Sequence, residues 1–409
     1  MNSEDIENNG ASYWSYKMKK IVIFLPSIQH GGIQRSLVEA LNVVDTTKYD
    51  ITIYAYSHSN PLAESLPEDV KVIIDTDKSH YVRKPRSVFL HIAWLFAKIC
   101  RNKKNIEKIS GKIKDYIHKE KAKYPAKKYF PQGVDVAISY AMGLCTQMAV
   151  NIKADRRYVF FHSSNPNFHR DLSDEYFKEF DNIIAVGENV QEMLKENFPQ
   201  EKEKIGLIKN YIAPDNIEKL ADEYTVATNT DDERIIITSV IRVDKEKGAD
   251  LVVATAARLK EWGLLFKWYI VGDGAQRDEI EAQIQINNLM EEVVITGYKD
   301  NPYPYIKACD IFIHPTYEES FGLAIVEALI LGKTVISTKT MGAEEVLNNG
   351  EFGFLVPINS KAIADAVTEV VDDLNSECLV QRIYKSNYEQ DKITYKQKWE
   401  IVLDGGILT

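Results

Sequence analysis

Cysteine and long hydrophobic runs are both scarce in this sequence. Its 409 residues include four widely spaced cysteines, Cys100, Cys145, Cys309 and Cys378. This spacing excludes a disulfide framework and a cysteine metal site, so we expect reduced thiols in a cytoplasmic protein. No stretch reaches the ~20 apolar residues that a membrane-spanning helix requires.

The first 18 residues are polar and lack the apolar core of a secretory signal peptide. A strand pattern begins only with the run Met-Lys-Lys-Ile-Val-Ile-Phe-Leu, which starts at Met18. We therefore expect residues 1–17 to be a flexible extension, with Met18 as an alternative start of the chain.

Charge is distributed unevenly. The formal net charge is −10, yet residues 81–128 hold 15 lysines and arginines against three acids. Within this segment, residues 87–100 form an apolar stretch with aromatic side chains and basic flanks. Such a stretch rests on an anionic membrane surface or packs as a core helix, and the pattern leaves both open. The acidic remainder, without a recognisable binding module, argues against nucleic-acid partners.

Strand and helix patterns alternate along the chain, which favours parallel α/β sheets. A chain of this length is expected to form two domains. We predict a hinge near residues 210–232, a first domain over 18–212 and a second over 213–385. The strand candidates are Ile21–Leu25, Ile51–Tyr56, Val70–Ile74, Val134–Ser139, Tyr158–His162, Ile183–Val186, Ile235–Thr238, Trp268–Val271, Val293–Thr296, Ile311–His314 and Thr334–Ser337.

The most informative segment places two carboxylates eight residues apart. Glu319 precedes an apolar helix predicted from about Gly322 to Leu331, and Glu327 lies inside it. The helix start offers free N–H groups and a positive dipole end, which suit a diphosphate. The alternative is an ordinary acid at a helix start and a surface glutamate. The neighbours of Glu327 are apolar nearly all round the helix, however, so we expect a buried carboxylate that needs a partner.

A second motif follows the strand candidate Ile235–Thr238. Arg242 and Lys247 lie five residues apart on a loop that ends in Gly248. Arginine can grip phosphate oxygens with two hydrogen bonds, and lysine adds a mobile point charge. Two cations at the carboxyl edge of a parallel sheet suit a departing diphosphate. Taken alone, the motif is more typical of a solvated charged loop than of a phosphate site.

Together the two motifs resemble the retaining glycosyltransferases of family 4, of the bacterial surface-polysaccharide type. The resemblance covers roughly residues 19–409 and is strongest over about 235–350. Further segments agree in order: Gly31–Leu41, Val271–Gly274, Thr296–Gly297 and Gly342–Leu347. It implies the GT-B fold, in which two Rossmann-like, doubly wound parallel-sheet domains face each other across a cleft. It also implies that a last helix, over 386–409, crosses back to the first domain.

The resemblance implies a nucleotide-diphosphate sugar donor, with UDP favoured. Glu327 would bind ribose hydroxyls and Glu319 sugar hydroxyls, while Arg242 and Lys247 would stabilise the leaving diphosphate. His162 would support the sugar, although a histidine at a strand end is more often structural. The remaining expected site residues are Phe321, Gly322, Leu323 and Gly297 on the donor side, and Gly31, Gly32 and His30 on the acceptor side, with His169 a weaker candidate.

No metal or other cofactor is expected. Asp75 and Asp77 have the spacing of a metal-binding Asp-x-Asp motif, but we interpret them as a strand-end turn because the two cations can neutralise the diphosphate. The acceptor would be a glycan or a lipid-linked glycan, used by an enzyme at the inner face of the plasma membrane. A sugar-nucleotide epimerase, a phosphorylase and a non-catalytic partner subunit remain as alternatives; a phosphorylase would need a pyridoxal phosphate lysine and a much longer chain.

Overall fold

The computed structural model describes residues 18–28, 31–56, 61–76, 117–168, 170–226, 234–372 and 388–408. Several predictions fall on other residues and lie outside this part of the chain. These are the extension over 1–17, His30, Asp77, His169 and most of the basic segment 81–128.

Two parallel sheets organise the chain. The strands of the described residues are β1 (Lys19–Leu25), β2 (Tyr49–Ala55), β3 (Lys71–Ile74), β4 (Val134–Ser139), β5 (Ala154–Phe161), β6 (Asn182–Ala185), β7 (Ile205–Leu207), β8 (Ile235–Val240), β9 (Phe266–Val271), β10 (Val293–Gly297), β11 (Ile311–His314), β12 (Thr334–Thr338) and β13 (Phe354–Val356). In this part of the chain the first sheet has seven strands in the order β3-β2-β1-β4-β5-β6-β7, and the second has six in the order β10-β9-β8-β11-β12-β13.

Helices cover both faces of each sheet. They are α1 (Gly32–Val43), α2 (Leu144–Asn151), α3 (Arg170–Tyr176), α4 (Glu188–Asn197), α5 (Pro214–Ala221), α6 (Ala249–Glu261), α7 (Arg277–Ile286), α8 (Tyr303–Ala308), α9 (Leu323–Ile330), α10 (Met341–Val346), α11 (Ser360–Asp372) and α12 (Tyr388–Leu403). Residues 117–128 are also helical. Within the described residues, no helix has the length and apolarity needed to cross a bilayer.

The central strands are buried on both faces, which explains why their sequences are continuously apolar rather than alternating. In β1, Ile21 and Ile23 pack into one core cluster, while Val22 and Phe24 pack into the cluster on the opposite face. In β11, Ile313 and Phe312 likewise face opposite sides. Each sheet therefore lies between two layers of helices, as the sequence predicts.

Both sheets reverse their strand order beside the first strand of each domain. In the first sheet β1 lies between β2 and β4, and in the second β8 lies between β9 and β11. Loops that follow such neighbouring strands diverge, and this opens a crevice at the carboxyl edge of the sheet. The segments after β1, β4, β8 and β11 are therefore the places where a ligand can bind.

The last helix packs on the first domain. Trp399, Val402 and Leu403 are buried in the core cluster of the first sheet, and the Trp399 ring stacks on Phe160 with centroids 5.1 Å apart. The helix begins at Tyr388 in the described part of the chain, close to the start at residue 386 that the resemblance implies.

The two domains also meet directly beside the cleft. Glu345, on α10 of the second domain, accepts hydrogen bonds from the backbone N–H groups of Glu188 (2.8 Å) and Asn189 (3.1 Å). These are the first residues of α4 in the first domain, so a carboxylate from one domain caps a helix of the other.

Candidate active site

Three side chains from two loops meet at the switch point of the second sheet. Glu319 Oε2 accepts a hydrogen bond from Lys247 Nζ at 2.9 Å and lies 3.1 Å from His314 Nε2. Lys247 follows β8, and His314 ends the neighbouring strand β11. The structure therefore brings the predicted Lys247 and Glu319 together and adds His314.

The carboxyl group of Glu319 is held as an anion. Burial alone would raise its pKa, but the hydrogen bond with His314 and the charge of Lys247 outweigh burial and hold the pKa well below its usual range. Its other oxygen, Oε1, accepts a hydrogen bond from the backbone N–H of Ser320 at 3.2 Å. Glu319 is therefore a fixed, acceptor-only group near physiological pH.

Glycines allow the loops of this cluster to pack closely. A Cβ atom at Gly248 would lie 1.7 Å from the Pro315 carbonyl oxygen, and Gly248 has a φ of +69°. A Cβ atom at Gly342 would lie 2.5 Å from the backbone nitrogen of Phe321. The loop after β8 and the first turn of α10 thus contact the β11–α9 loop through backbone atoms, which leaves little freedom to the side chains between them.

The start of α9 opens toward the first domain. Gly322 caps the helix with a φ of +93°, and its carbonyl accepts the N–H groups of Ile325 and Val326. The N–H of Leu323 belongs to the helix start, where donors have no acceptor within the helix. Across the cleft, a Cβ atom at Gly32 would lie 3.4 Å from Leu323 Cδ1. The Gly31-Gly32 loop therefore faces the predicted diphosphate site.

Arg242 and Gly297, two further predicted site residues, make other contacts in this structure. The Arg242 side chain is 66 % exposed and pairs with Asp244. Gly297 ends β10 with a φ of +75°, and its carbonyl accepts the Gly272 N–H at 3.1 Å. Arg242 is thus held in a surface ion pair in this structure.

Glu327 is buried on α9, and its ion-pair partner comes from the other domain. Its side chain is 2 % exposed, and Oε1 lies 2.9 Å from Arg35 Nη1. Tyr303 Oη lies 3.4 Å from the same oxygen. Burial raises the pKa of Glu327, and the Arg35 charge opposes that rise. The buried carboxylate expected from the sequence therefore has the partner that its burial requires.

His162 follows β5 at the cleft, and its ring lies among aromatic groups. The ring centroid is 4.9 Å from that of Tyr140, and Nε2 has no hydrogen-bond partner in the described part of the chain. Burial lowers its pKa to about 4, against a hydrogen bond with the Tyr140 backbone, so the imidazole is neutral. Its carbonyl accepts the Ser320 hydroxyl across the cleft at 2.8 Å.

Comparison with known proteins adds independent information. Residues 221–389 match the family model described as glycosyl transferases group 1. The chain is 25 % identical over 350 residues to the N-acetylgalactosamine-N,N'-diacetylbacillosaminyl-diphospho-undecaprenol 4-alpha-N-acetylgalactosaminyltransferase of Campylobacter jejuni. That alignment covers 84 % of this chain and 87 % of the relative.

Two solved structures align with nearly the whole chain. A glycosyltransferase from Rickettsia africae has a TM-score of 0.65 at 20 % identity, covering 95 % of this chain and 99 % of the other. Alr3699/HepE from Anabaena, solved with UDP-glucose, has a TM-score of 0.68 at 18 % identity, covering 94 % and 99 %. The chain has the GT-B fold.

The GT-B fold explains why the two sheets present their switch points to the same cleft. Two residues of this cleft were missed by sequence reasoning, His314 and Arg35. His314 directly precedes the loop that carries Glu319. A polar residue at the end of an apolar strand is a pattern from which its place in the site could have been predicted. Arg35 follows the Gly31-Gly32 pair by three residues, but nothing local to it indicates a partner on the other GT-B domain.

The Asp-x-Asp motif lies away from this cluster in the chain, at the end of β3. Asp75 is buried and accepts a hydrogen bond from Tyr54 Oη at 2.8 Å, as expected for a structural turn, and Asp77 lies outside the described residues. Among the residues that the GT-B structure describes, no group of three or more His, Cys, Asp and Glu side chains could hold a metal ion. Metal-independent catalysis stays a prediction.

Proposed function

We propose that the chain is a retaining, metal-independent glycosyltransferase of bacterial polysaccharide biosynthesis. It would transfer a hexose or N-acetylhexosamine from a UDP-sugar to a glycan or lipid-linked acceptor. The observation that carries this proposal is the contact between Lys247 and Glu319 in front of the α9 N-terminus. Support also comes from a relative whose name specifies a diphospho-undecaprenol acceptor and a structural neighbour solved with UDP-glucose.

In this proposal the diphosphate binds at the start of α9. Its oxygens accept the N–H groups of Phe321 to Leu323, while Lys247 moves from Glu319 onto the leaving phosphate. Arg242 turns from Asp244 to grip the same group. Charge develops on this diphosphate as the bond to the sugar breaks, so groups positioned in advance lower the barrier most where that charge appears.

The two carboxylates fix the ends of the donor. Glu319 accepts hydrogen bonds from sugar hydroxyls, for which its anionic state is suited. Glu327, about one helical turn farther along α9, accepts hydrogen bonds from the two ribose hydroxyls.

The first domain contributes the acceptor side. Gly31 and Gly32 allow the acceptor and the donor phosphates to approach the backbone closely. The neutral imidazole of His162 gives the sugar a polar contact without adding a second positive charge beside an oxocarbenium-like transition state. No carboxylate nucleophile is assigned, and retention at the anomeric carbon rests on the resemblance to family 4.

Thermal unfolding and donor hydrolysis, measured with UDP-, GDP- and ADP-sugars in EDTA, test the proposal. Because ligand binding stabilises the folded state by mass action, one nucleotide sugar should raise the melting temperature and be slowly hydrolysed. A requirement for added Mg²⁺ or Mn²⁺ would refute metal independence. No shift with any donor would favour a non-catalytic partner subunit, and isomerised donor without transfer would favour an epimerase.

A membrane-bound acceptor would bring the enzyme to the inner face of the plasma membrane. The described end of the basic segment, residues 117–128, is helical and carries Lys121 and Lys128 against tyrosine rings. Sedimentation with vesicles that contain about 30 % anionic lipid should remove the protein from the supernatant at low salt. High salt should release it, because salt screens the attraction between basic side chains and anionic lipid. Equal sedimentation with neutral vesicles would contradict this part of the proposal.

A further inference from the structure

The ion pair of Glu327 links the two domains at the proposed ribose site. Arg35 lies on α1 of the first domain, whereas Glu327 and Tyr303 lie on α9 and α8 of the second. Arg35 Nη1 is 2.9 Å from Glu327 Oε1, and its guanidinium carbon is 5.3 Å from the centre of the Tyr303 ring. One cationic side chain thus contacts a carboxylate and an aromatic face of the opposite domain.

A second carboxylate holds α1 against the interdomain linker. Glu39, one helical turn after Arg35, accepts a hydrogen bond from the Ala213 N–H at 3.4 Å. Glu39 is partly buried, and its burial raises its pKa while the charge of Arg35 lowers it. Since α1 begins directly after the Gly31-Gly32 loop, the position of Arg35 is fixed by the same elements that shape the cleft.

A buried carboxylate that lacks a counter-ion takes up a proton or is strongly destabilised. Among the described residues, the one ion pair of Glu327 is with Arg35. An arginine remains protonated at every physiological pH, and its planar group suits both a carboxylate and a ring face. The charge of the proposed ribose-binding group therefore depends on a residue of the other domain.

We propose that Arg35 is a positioning residue of the donor site, which holds Glu327 as an oriented anion for the two vicinal hydroxyls of a ribose. Its guanidinium contacts one oxygen, and a carboxylate offers about four lone-pair positions, so acceptor sites remain for both hydroxyls. Domain closure and ribose recognition thereby support each other. The inference rests on the proposed function, because it takes Glu327 as the ribose-binding group.

Calorimetric titration with UDP and with 2′,3′-dideoxy-UDP tests this role. We expect wild type to prefer UDP, and Arg35→Ala to bind UDP about 10-fold more weakly, which corresponds to about 1.4 kcal/mol. Its affinity for the dideoxy analogue should change less than about 2-fold, since that ligand has no diol to recognise. Arg35→Lys should restore part of the preference because the positive charge is kept.

Two further variants separate this effect from a general loss of structure. Arg156→Ala is a matched control, because Arg156 forms an ion pair with Asp181 near the amino end of β5, at the edge of the sheet opposite the cleft; it should bind both nucleotides as wild type does. Glu327→Gln should remove the preference for UDP, and adding Arg35→Ala to it should produce no further loss. If Arg35→Ala does not fold, the affinities for the two nucleotides are compared between wild type, Arg35→Lys and Arg35→Gln instead.

The remaining outcomes contradict the inference in distinguishable ways. Equal weakening for both nucleotides would show that Arg35 serves the phosphates or the fold. Tighter UDP binding by Arg35→Ala would show that Arg35 blocks the site. If wild type prefers UDP and Arg35→Ala retains the full preference, this inference alone fails. If wild type binds neither nucleotide, both this inference and the proposed UDP-sugar donor are wrong.

Discussion

The two sheets of the chain share a strand order but present different chemistry to the cleft. At the carboxyl ends of β8 and β11 in the second sheet, a compact polar cluster is formed by Lys247, Glu319 and His314. At the cleft edge of the first sheet lie the Gly31-Gly32 loop and a neutral His162. One half of the cleft therefore suits a charged diphosphate, and the other half suits a group that needs space and few charges.

The difference follows from the side chains that surround the cleft edge of each sheet. In the second domain, charged side chains occupy the edge and neutralise one another, so a ligand can replace one partner of an existing pair. In the first domain, the rings of Tyr140 and Phe160 contact the histidine ring, and Trp399 packs on both of those rings. The same topology can thus hold a polar site or an apolar platform, depending on which residues end the strands.

Replacement of Lys247 should have the largest effect on this contrast. Lys247→Ala removes the cation that faces the leaving phosphate, so we expect about a 1,000-fold fall in kcat, as for other lost charge-stabilising donors. Steady-state transfer kinetics measure it. Lys245→Ala, an exposed neighbour on the same turn, is the control and should stay within about 2-fold of wild type. A similar fall in both variants would contradict the specific role of Lys247.

Neutralising Glu319 should have the second-largest effect on activity. Glu319→Gln keeps the shape but leaves Lys247 and His314 without their common anion, and we expect about a 100-fold fall in kcat/KM. Unfolding in denaturant should show a loss of about 2 kcal/mol, below the range for fully buried pairs because both groups are partly exposed. Glu318→Gln, on the exposed neighbour, should change neither quantity. Full activity of Glu319→Gln would remove the carboxylate from the site.

The neutral state of His162 predicts a pH dependence of stability. Its pKa is about 4 in the folded protein and near 6.5 when exposed, so the unfolded chain binds the proton more readily between these values. The free energy of unfolding should therefore fall as the pH drops from about 6.5 toward 4, by up to about 1.4 kcal/mol per pKa unit. The same contribution should be constant above that range.

His162→Asn, compared with wild type by denaturant unfolding across this range, isolates that contribution. The variant should lose less stability than wild type as the pH falls. His118→Asn, at an exposed position, should follow wild type. If wild type and His162→Asn show parallel pH profiles, the histidine is charged or solvated in the fold, and the two halves of the cleft differ less in polarity.

The contact between the domains should give the smallest effect. Glu345→Gln weakens the cap on α4 and should cost about 1 kcal/mol, seen as faster amide hydrogen exchange at Glu188 and Asn189. Glu344→Gln is the matched control, because Glu344 pairs with Lys339 within its own domain. Unchanged exchange in Glu345→Gln would mean that the cap does not hold the domains together.

Much of the fold could be predicted because its signals are local. The buried runs at Ile311–His314 and Val134–Ser139 are strands with the predicted bounds. The strands β7 and β13 were missed, since each has three residues at a sheet edge and offers too few positions for a periodic pattern. The bounds of β5 were also too short, because its first residues are charged and exposed and do not look like a buried strand.

The sequence by itself determined the alternation of strands and helices and the burial of Glu327, because these depend on neighbours within a few turns. It also determined which charged residues follow β8 and β11. Only the tertiary structure decided that Lys247 contacts Glu319 and that Arg35 neutralises Glu327. Those pairs join residues far apart in the chain, whose distance is set by sheet order and domain contact, and no local pattern records such a distance.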